Sequence, residues 1–207
     1  MIVAAHQTML APPALPYDAE VEYLESSGTQ YVDTGYAPVF PSNLEYRARI
    51  RYHNTTTRMI MGLQGGMYIG VVDGKYQCNG GGNITVDAPV SANAAHDFGA
   101  VFHLPTEGSQ PRGHRVDWTM DNLSGRTTGD LFHYLPATAT IWLFWANDAS
   151  SLRGASAIYS FQILADGVLV RDYQPVRVGT TGYLYDKVSK QLFGNAGTGS
   201  FVLGPDK

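Results

Sequence analysis

The sequence is poor in cysteine, in charge and in long apolar runs, and each shortage excludes a class of protein. The single cysteine, Cys78, rules out an internal disulfide and a cysteine-based zinc site. Charged residues make up only 15% of the 207 residues, and the formal net charge is −4. Because nucleic-acid binding needs a basic surface, we expect no nucleic acid as a partner. No stretch approaches the roughly 20 apolar residues of a membrane helix, so we expect no membrane partner.

Residue patterns typical of catalysis are also missing. The six histidines lack zinc spacing, and no Gly-x-Ser-x-Gly elbow occurs. A glycoside hydrolase needs two carboxyl groups close together. The only Glu-x-Glu pair, Glu20 and Glu22, adjoins a proline-rich segment, while Asp117 and Asp121 straddle a predicted turn. We therefore expect a protein that is not an enzyme, with glycoside hydrolase as the less favoured alternative.

No cofactor is expected, and no metal site is assigned. Calcium stays open as an alternative, because it binds carboxylate and amide oxygens in loops. The candidate ligands are Asp121 with Asn122 and Asn147 with Asp148. Neither pair matches a known calcium-loop pattern.

Glycine and tyrosine are abundant, with 23 and 13 residues, and aromatics reach 12%. This composition favours twisted antiparallel strands joined by tight turns. Residues 44–52 alternate apolar and polar side chains, which predicts a strand with one buried face. Asp73-Gly74 and Asp166-Gly167 predict hairpin turns. The predicted strands are 21–25, 29–35, 44–52, 59–63, 67–72, 76–78, 83–86, 97–104, 114–120, 140–146, 156–165, 168–177 and 200–203, with a hairpin at 186–194.

The first 20 residues predict an extended arm. Pro12, Pro13 and Pro16 disfavour a helix there. The short apolar run after Met1 contains polar residues and lacks a basic start, so it is a poor signal peptide. We expect the arm, residues 1–20, to pack on the domain at 21–207 or on a neighbouring subunit.

The segment 141–146 is apolar on both faces, which indicates a strand covered on both sides. Strict alternation places Trp142 and Phe144 on one face and Leu143 and Trp145 on the other. One pair belongs to the core, and the other pair is either a binding platform or covered too. Carbohydrate binding uses exposed rings with nearby amides and carboxylates. The candidate ligand-binding residues are Trp118, Trp142, Trp145, Asn147 and Asp148, with Tyr134 as a further ring.

Arg47, Arg49 and Arg51 form the one local cluster of basic residues. Their spacing puts all three on one face of a strand. A solvated sheet face is the simpler interpretation, and an anionic or carboxylate-bearing partner is the alternative.

Two parts of the sequence carry a resemblance to a known family. The first is residues 22–36 (EYLESSGTQYVDTGY), and the second is a tail made of 159–164 (YSFQIL), 166–177 (DGVLVRDYQPVR), 182–189 (GYLYDKVS) and 192–201 (LFGNAGTGSF). Together they resemble the concanavalin A-like, laminin-G-like jelly-roll domains of gut bacterial surface proteins and phage virion proteins. The resemblance implies an all-β, antiparallel two-sheet jelly-roll sandwich whose first and last strands pair.

This resemblance leaves function open, because the superfamily includes lectins, adhesion domains, structural decorations and glycosidases. The favoured hypothesis is a non-catalytic virion protein, such as a capsid decoration, head fibre or tail-associated adhesin, that contacts host or mucosal glycans. Its partners would be other virion or surface proteins through the arm, with a homo-oligomer as a further option. The alternative is a bacterial glycan-binding module at the cell surface or outside the cell.

Overall fold

The computed structural model describes residues 14–39, 43–56, 58–63, 67–80, 83–103, 114–129, 139–145 and 154–207. Throughout these ranges the regular structure is β-strand, and no helix is found. It follows that the described ranges hold no helix with the length and apolar character to span a bilayer. Most of the predicted arm, residues 1–13, lies outside them, as do Asn147 and Asp148.

Seventeen strands are described, and their bounds follow in chain order. They are β1 (Ala19–Glu20), β2 (Leu24–Ser26), β3 (Val32–Asp33), β4 (Leu44–Tyr52), β5 (Arg58–Leu63), β6 (Met67–Val72), β7 (Lys75–Gly80), β8 (Asn83–Pro89), β9 (Ala95–His103), β10 (His114–Met120), β11 (Leu123–Gly129), β12 (Trp142–Leu143), β13 (Ser156–Ala165), β14 (Val168–Val178), β15 (Thr181–Asp186), β16 (Gln191–Phe193) and β17 (Val202–Leu203).

The strands form two antiparallel sheets. The large sheet has the order β11-β10-β9-β4-β13-β14-β15-β16, with β1 paired to β14 and β2 paired to β13. The small sheet has the order β3-β12-β5-β6-β7-β8. The late strand β17 pairs with the early strand β2, so the ends of the described chain close the sandwich. The predicted all-β, antiparallel two-sheet jelly-roll sandwich is confirmed.

The most regular strands are those whose alternation is plain in the sequence. In β4 the residues Leu44, Tyr46, Ala48, Ile50 and Tyr52 are buried, while the residues between them are not. The predicted strands 114–120 and 156–165 have the observed bounds of β10 and β13. The hairpin turns at Asp73-Gly74 and Asp166-Gly167 are confirmed, with positive φ at all four residues.

Buried tyrosines explain part of the high tyrosine content. The Tyr76 hydroxyl on the small sheet donates to the Gly99 carbonyl on the large sheet at 3.2 Å. The Tyr173 hydroxyl on the large sheet donates to the Thr34 carbonyl beside β3 at 3.3 Å. Each ring fills the core while its hydroxyl satisfies a carbonyl of the opposite layer. These two bonds connect the sheets at different ends of the sandwich.

The end of the predicted arm lies on the large sheet. Ala19 and Glu20 pair with Arg177 and Val176 of β14. The Tyr17 ring packs edge-on against Tyr185, with ring centres 5.1 Å apart. Residues 17–20 therefore lie against the large sheet.

Two predicted strands are much shorter than expected. The predicted strand 29–35 is reduced to Val32–Asp33, and the predicted strand 140–146 is reduced to Trp142–Leu143 in its described part. β12 lies between the edge strand β3 and β5. Both corrections concern the place where the candidate site is found.

Candidate functional site

Three aromatic side chains from two distant segments meet beside β3 and β12. Tyr31 stacks on Trp142 with ring centres 4.3 Å apart and planes 26° apart. Trp145 meets Tyr31 edge-on at 5.1 Å and lies 5.6 Å from Trp142. All three residues are only partly buried. We call Tyr31, Trp142 and Trp145 the aromatic cluster.

Strand pairing sets the position of Tyr31 and Trp142. Val32 pairs with Leu143, and Asp33 pairs with Trp142. Val32 and Leu143 are fully buried, so their side chains belong to the core. Because side chains alternate along a strand, Asp33 and Trp142 face outward.

The backbone at Phe144 breaks the alternation that the sequence predicts. Phe144 has φ +67°, a left-handed conformation that is rare for a bulky residue. Its amide donates to the Ile60 carbonyl at 2.6 Å, and its ring packs against Phe201 in the core. The prediction that Trp142 and Phe144 share a face is therefore wrong. Leu143 and Phe144 are both buried, and the two tryptophans lie together instead.

A glycine-rich turn supports Tyr31 from the other end of the chain. The Tyr31 amide donates to Asn195 Oδ1 at 3.2 Å, and its carbonyl accepts the Ala196 amide at 2.8 Å. A Cβ on Gly197 would lie 2.1 Å from the Thr29 carbonyl oxygen, so a side chain at this position would displace the strand segment. The turn at residues 194–199 thus holds the backbone of Tyr31, and it brings the two family-like parts of the sequence together.

Polar groups adjoin the cluster. The indole N–H of Trp142 is buried and has no hydrogen-bond partner among the described residues. Asp33 accepts the Gly35 amide with Oδ1 at 2.9 Å, and its second oxygen makes no bond within that same part of the chain. The cluster therefore combines apolar ring surface with a carboxylate acceptor.

Trp118 does not join this cluster. It lies on β10 and covers Gly125 of β11, where a Cβ would come within 2.6 Å of the indole. Its nearest aromatic neighbour of the small sheet is Tyr76, at 6.5 Å between ring centres. β7, which carries Tyr76, is three strands from β12, a separation of about 14 Å. The predicted set of three tryptophans is thus divided between two places.

Asn147, Asp148 and Tyr134 lie outside the described residues, so their part in a site stays a prediction. Tyr31 was missed by the sequence analysis, because its ring position depends on contacts with residues more than 100 positions away. The motif GTQYVDTG, which carries part of the resemblance, was the one signal that pointed to it.

Two of the carboxylates considered for catalysis or calcium, Asp121 and Glu20, have protein partners. Asp121 accepts a hydrogen bond from His96 at 2.7 Å and one from the Asp97 amide at 2.9 Å. Burial alone would raise the pKa of Asp121, but these two hydrogen bonds lower it. Glu20 ends β1 and accepts the Tyr17 hydroxyl at 3.4 Å. Within the described ranges, no three His, Cys, Asp or Glu side chains are grouped to hold a metal ion.

Comparison with solved structures shows a likeness of fold. No family model matches the chain, and no curated protein matches it. A crystal structure of a protein from Bacteroides ovatus, described as a candidate carbohydrate-binding protein, is similar with a TM-score of 0.62 and 12% sequence identity. The match covers 89% of this chain and 60% of that protein, so this chain spans about three fifths of its length. At this identity the likeness shows that the two proteins share the fold.

Proposed function

We propose that this protein is a non-catalytic carbohydrate-binding domain and that the aromatic cluster is its binding platform. The observation that carries the proposal is the close grouping of Tyr31, Trp142 and Trp145, all partly exposed, on the outward side of the small sheet. The shared fold with a protein described as carbohydrate-binding supports it. This function is the alternative that the sequence offered beside the virion hypothesis.

The cluster has the physical properties that a sugar needs. Rings that contact one another are held in place before binding, so little side-chain freedom is lost when a ligand stacks on them. The C–H faces of a sugar ring pack on aromatic surface, while its hydroxyls need donors and acceptors nearby. The second oxygen of Asp33 supplies an acceptor beside the rings.

The biological setting stays a prediction from the sequence. A virion adhesin that contacts host or mucosal glycans would use the same platform, and so would a module at the bacterial surface or outside the cell. Association with other virion or surface proteins through the arm is part of the same prediction. Copurification from assembled particles, or from a cell-surface fraction, distinguishes the two settings.

A glycan array followed by isothermal titration calorimetry tests the platform. We expect the protein to bind at least one neutral oligosaccharide, and Trp142→Ala to weaken that binding by about 10- to 30-fold, as for a central aromatic contact. Trp118→Ala is the matched control, because it makes the same change at a separate place. It should leave the affinity within about twofold.

Both variants need a folded-state check by circular dichroism, since each truncates a partly buried ring. Equal loss of affinity in the two variants would show that the platform is misplaced. Absence of neutral-glycan binding across the array would remove the proposal itself. Hydrolysis of a bound polysaccharide that disappears in Glu22→Gln would contradict the non-catalytic part.

A further inference from the structure

A trough crosses the outer face of the large sheet, away from the aromatic cluster. Residues of β4, β9, β10 and β11 line it, and its volume is about 630 Å³. Strand register aligns Arg47, Gly99, Thr119 and Ser124 in a row across these four strands. Neighbouring strands are about 4.8 Å apart, so the row is about 14 Å long.

Glycine makes the floor of the trough low. Gly99 lies between Arg47 and Thr119 and carries no side chain. A Cβ at this position would be 2.4 Å from the Thr119 hydroxyl oxygen, so Thr119 fills the space that a larger residue would occupy. The floor therefore consists of backbone and small hydroxyl side chains, which leaves room above it for a ligand.

Two arginines border this floor in the same way. The Nε of Arg47 bonds to Glu45 at 2.6 Å, and the Nε of Arg126 bonds to Asp117 at 2.7 Å. Their side chains are 58% and 60% exposed. Within the described part of the chain, the terminal nitrogens of both residues donate no hydrogen bond. Each guanidinium is thus fixed at its base and open at its end.

The acceptors around the trough are largely occupied. Asp117 Oδ1 accepts a hydrogen bond from Arg126, and Asp117 Oδ2 accepts hydrogen bonds from His103 and Arg115, all at 2.7–2.9 Å. The hydrogen bond from Arg126, with those from His103 and Arg115, lowers the pKa of Asp117 to about 2 despite its partial desolvation. The Asp117 carboxylate therefore stays charged, and both of its oxygens already accept hydrogen bonds.

The charged side chains that line the trough balance one another, and a third arginine lies beside them. Arg47 and Arg126 carry two positive charges, and Glu45 and Asp117 carry two negative charges. Arg115, which bonds to Asp117 from outside the lining, brings the sum of the five groups to +1. The open guanidinium ends and this additional positive charge favour an acceptor-rich ligand. A guanidinium fork matches a carboxylate in two parallel hydrogen bonds.

We propose that the trough binds the carboxylate groups of an acidic glycan, one built from uronic acids or another sugar acid. The inference rests on the carbohydrate binding proposed above and adds a second site on the opposite sheet. Arg47 and Arg126 bind carboxylates, and Thr119 and Ser124 contact sugar hydroxyls. Of the three arginines that the sequence grouped together, only Arg47 lines this trough. Arg49 pairs with Asp97, and Arg51 pairs with Glu25.

Calorimetry with a galacturonate hexamer and its methyl ester tests the site, after screening on an array of galacturonate, glucuronate, mannuronate and sialic acid oligosaccharides. We expect an acidic oligosaccharide to bind, its ester to lose binding, and affinity to fall with added salt. Arg47→Gln and Arg126→Gln should each weaken binding about 10-fold or more, the effect of removing a hydrogen bond between charged groups. Arg49→Gln is the matched control on the same strand face and should change affinity by less than twofold.

The two proposed sites can be tested independently of each other. Arg47→Gln should leave neutral-glycan affinity unchanged, and Trp142→Ala should leave acidic-glycan affinity unchanged. No binding to any acidic oligosaccharide on the array overturns the trough proposal, even if neutral glycans bind. Equal affinity for the acid and the ester, or an equal loss in Arg49→Gln, overturns it too.

Discussion

The aromatic cluster and the trough lie on the outer faces of opposite sheets, and they are built in different ways. The trough is made from four regular strands in continuous register, so alternation alone decides which side chains point into it. The cluster is made from a two-residue strand, a left-handed residue and a glycine-rich turn. Regular strands therefore produce a surface whose charges can be altered one at a time. The irregular segment produces a surface whose shape depends on residues behind it.

This difference predicts where substitutions act on stability. Residues that hold the cluster belong to the core or to close backbone contacts, so changing them should destabilise the protein. The trough residues Arg47, Thr119, Ser124 and Arg126 are solvent-exposed, so changing them should alter ligand binding with little loss of stability. The following predictions test this contrast, starting with the largest expected effect.

Phe144→Ala should lower the free energy of unfolding by about 3–5 kcal/mol, because truncating a fully buried Phe leaves a cavity. Phe144 is 1% exposed and packs against Phe201. Urea unfolding followed by circular dichroism measures the change. If strict alternation were correct, Phe144 would share a face with the partly exposed Trp142, and the loss would be below about 1 kcal/mol.

Trp145→Ala is the companion variant, since alternation places Trp145 with the buried Leu143. The structure places it in the partly exposed aromatic cluster instead. We expect Trp145→Ala to destabilise the protein less than Phe144→Ala. The reverse ranking would contradict the left-handed backbone at Phe144.

Gly197→Ala should destabilise the protein by about 1–3 kcal/mol, the usual effect of overpacking a close contact. The added Cβ would lie 2.1 Å from the Thr29 carbonyl oxygen and 3.1 Å from the Tyr31 ring. We also expect the near-ultraviolet circular dichroism of the stacked rings to change, because Tyr31 must move relative to Trp142. Ala196→Ser at the exposed neighbouring position is the control, and equal effects of the two would show that the contact at Gly197 is not tight.

The same difference between regular strands and irregular segments explains which features could be predicted from the sequence. The hairpin at Asp166-Gly167 and the strands around it were predicted because period-two patterns and Asp-Gly turns are local signals. The outward position of Arg47 was predicted for the same reason. The shortening of the 140–146 strand was not predicted. The conformation of Phe144 depends on a hydrogen bond to Ile60 and on a ring contact with Phe201, and both residues are distant in sequence. Tyr31 was missed for the same reason, since residues 195–197 position it.

The smallest predicted effect concerns Asp117, which should give the trough side of the molecule a pH-dependent stability. The pKa of Asp117 is about 2 in the folded protein, below the ordinary value of 3.8. A depressed folded-state pKa stabilises the protein above the unfolded value and loses that contribution as pH falls through the folded one. The contribution should therefore be complete above about pH 4 and lost between about pH 4 and pH 2.

Asp117→Asn isolates this contribution. Solvent screens the ion pairs of a partly exposed carboxylate, so we expect the wild-type protein to exceed the variant by about 1 kcal/mol at pH 7. The difference should vanish near pH 2 and shrink in high salt, as urea unfolding across a pH series would measure. Phe144→Ala is the contrasting variant. Its loss of unfolding free energy comes from apolar burial, so it should stay nearly constant over the same pH range. A pH-independent difference for Asp117→Asn would mean that Asp117 acts through packing, and the contrast between a charge-built trough and a core-supported cluster would no longer hold.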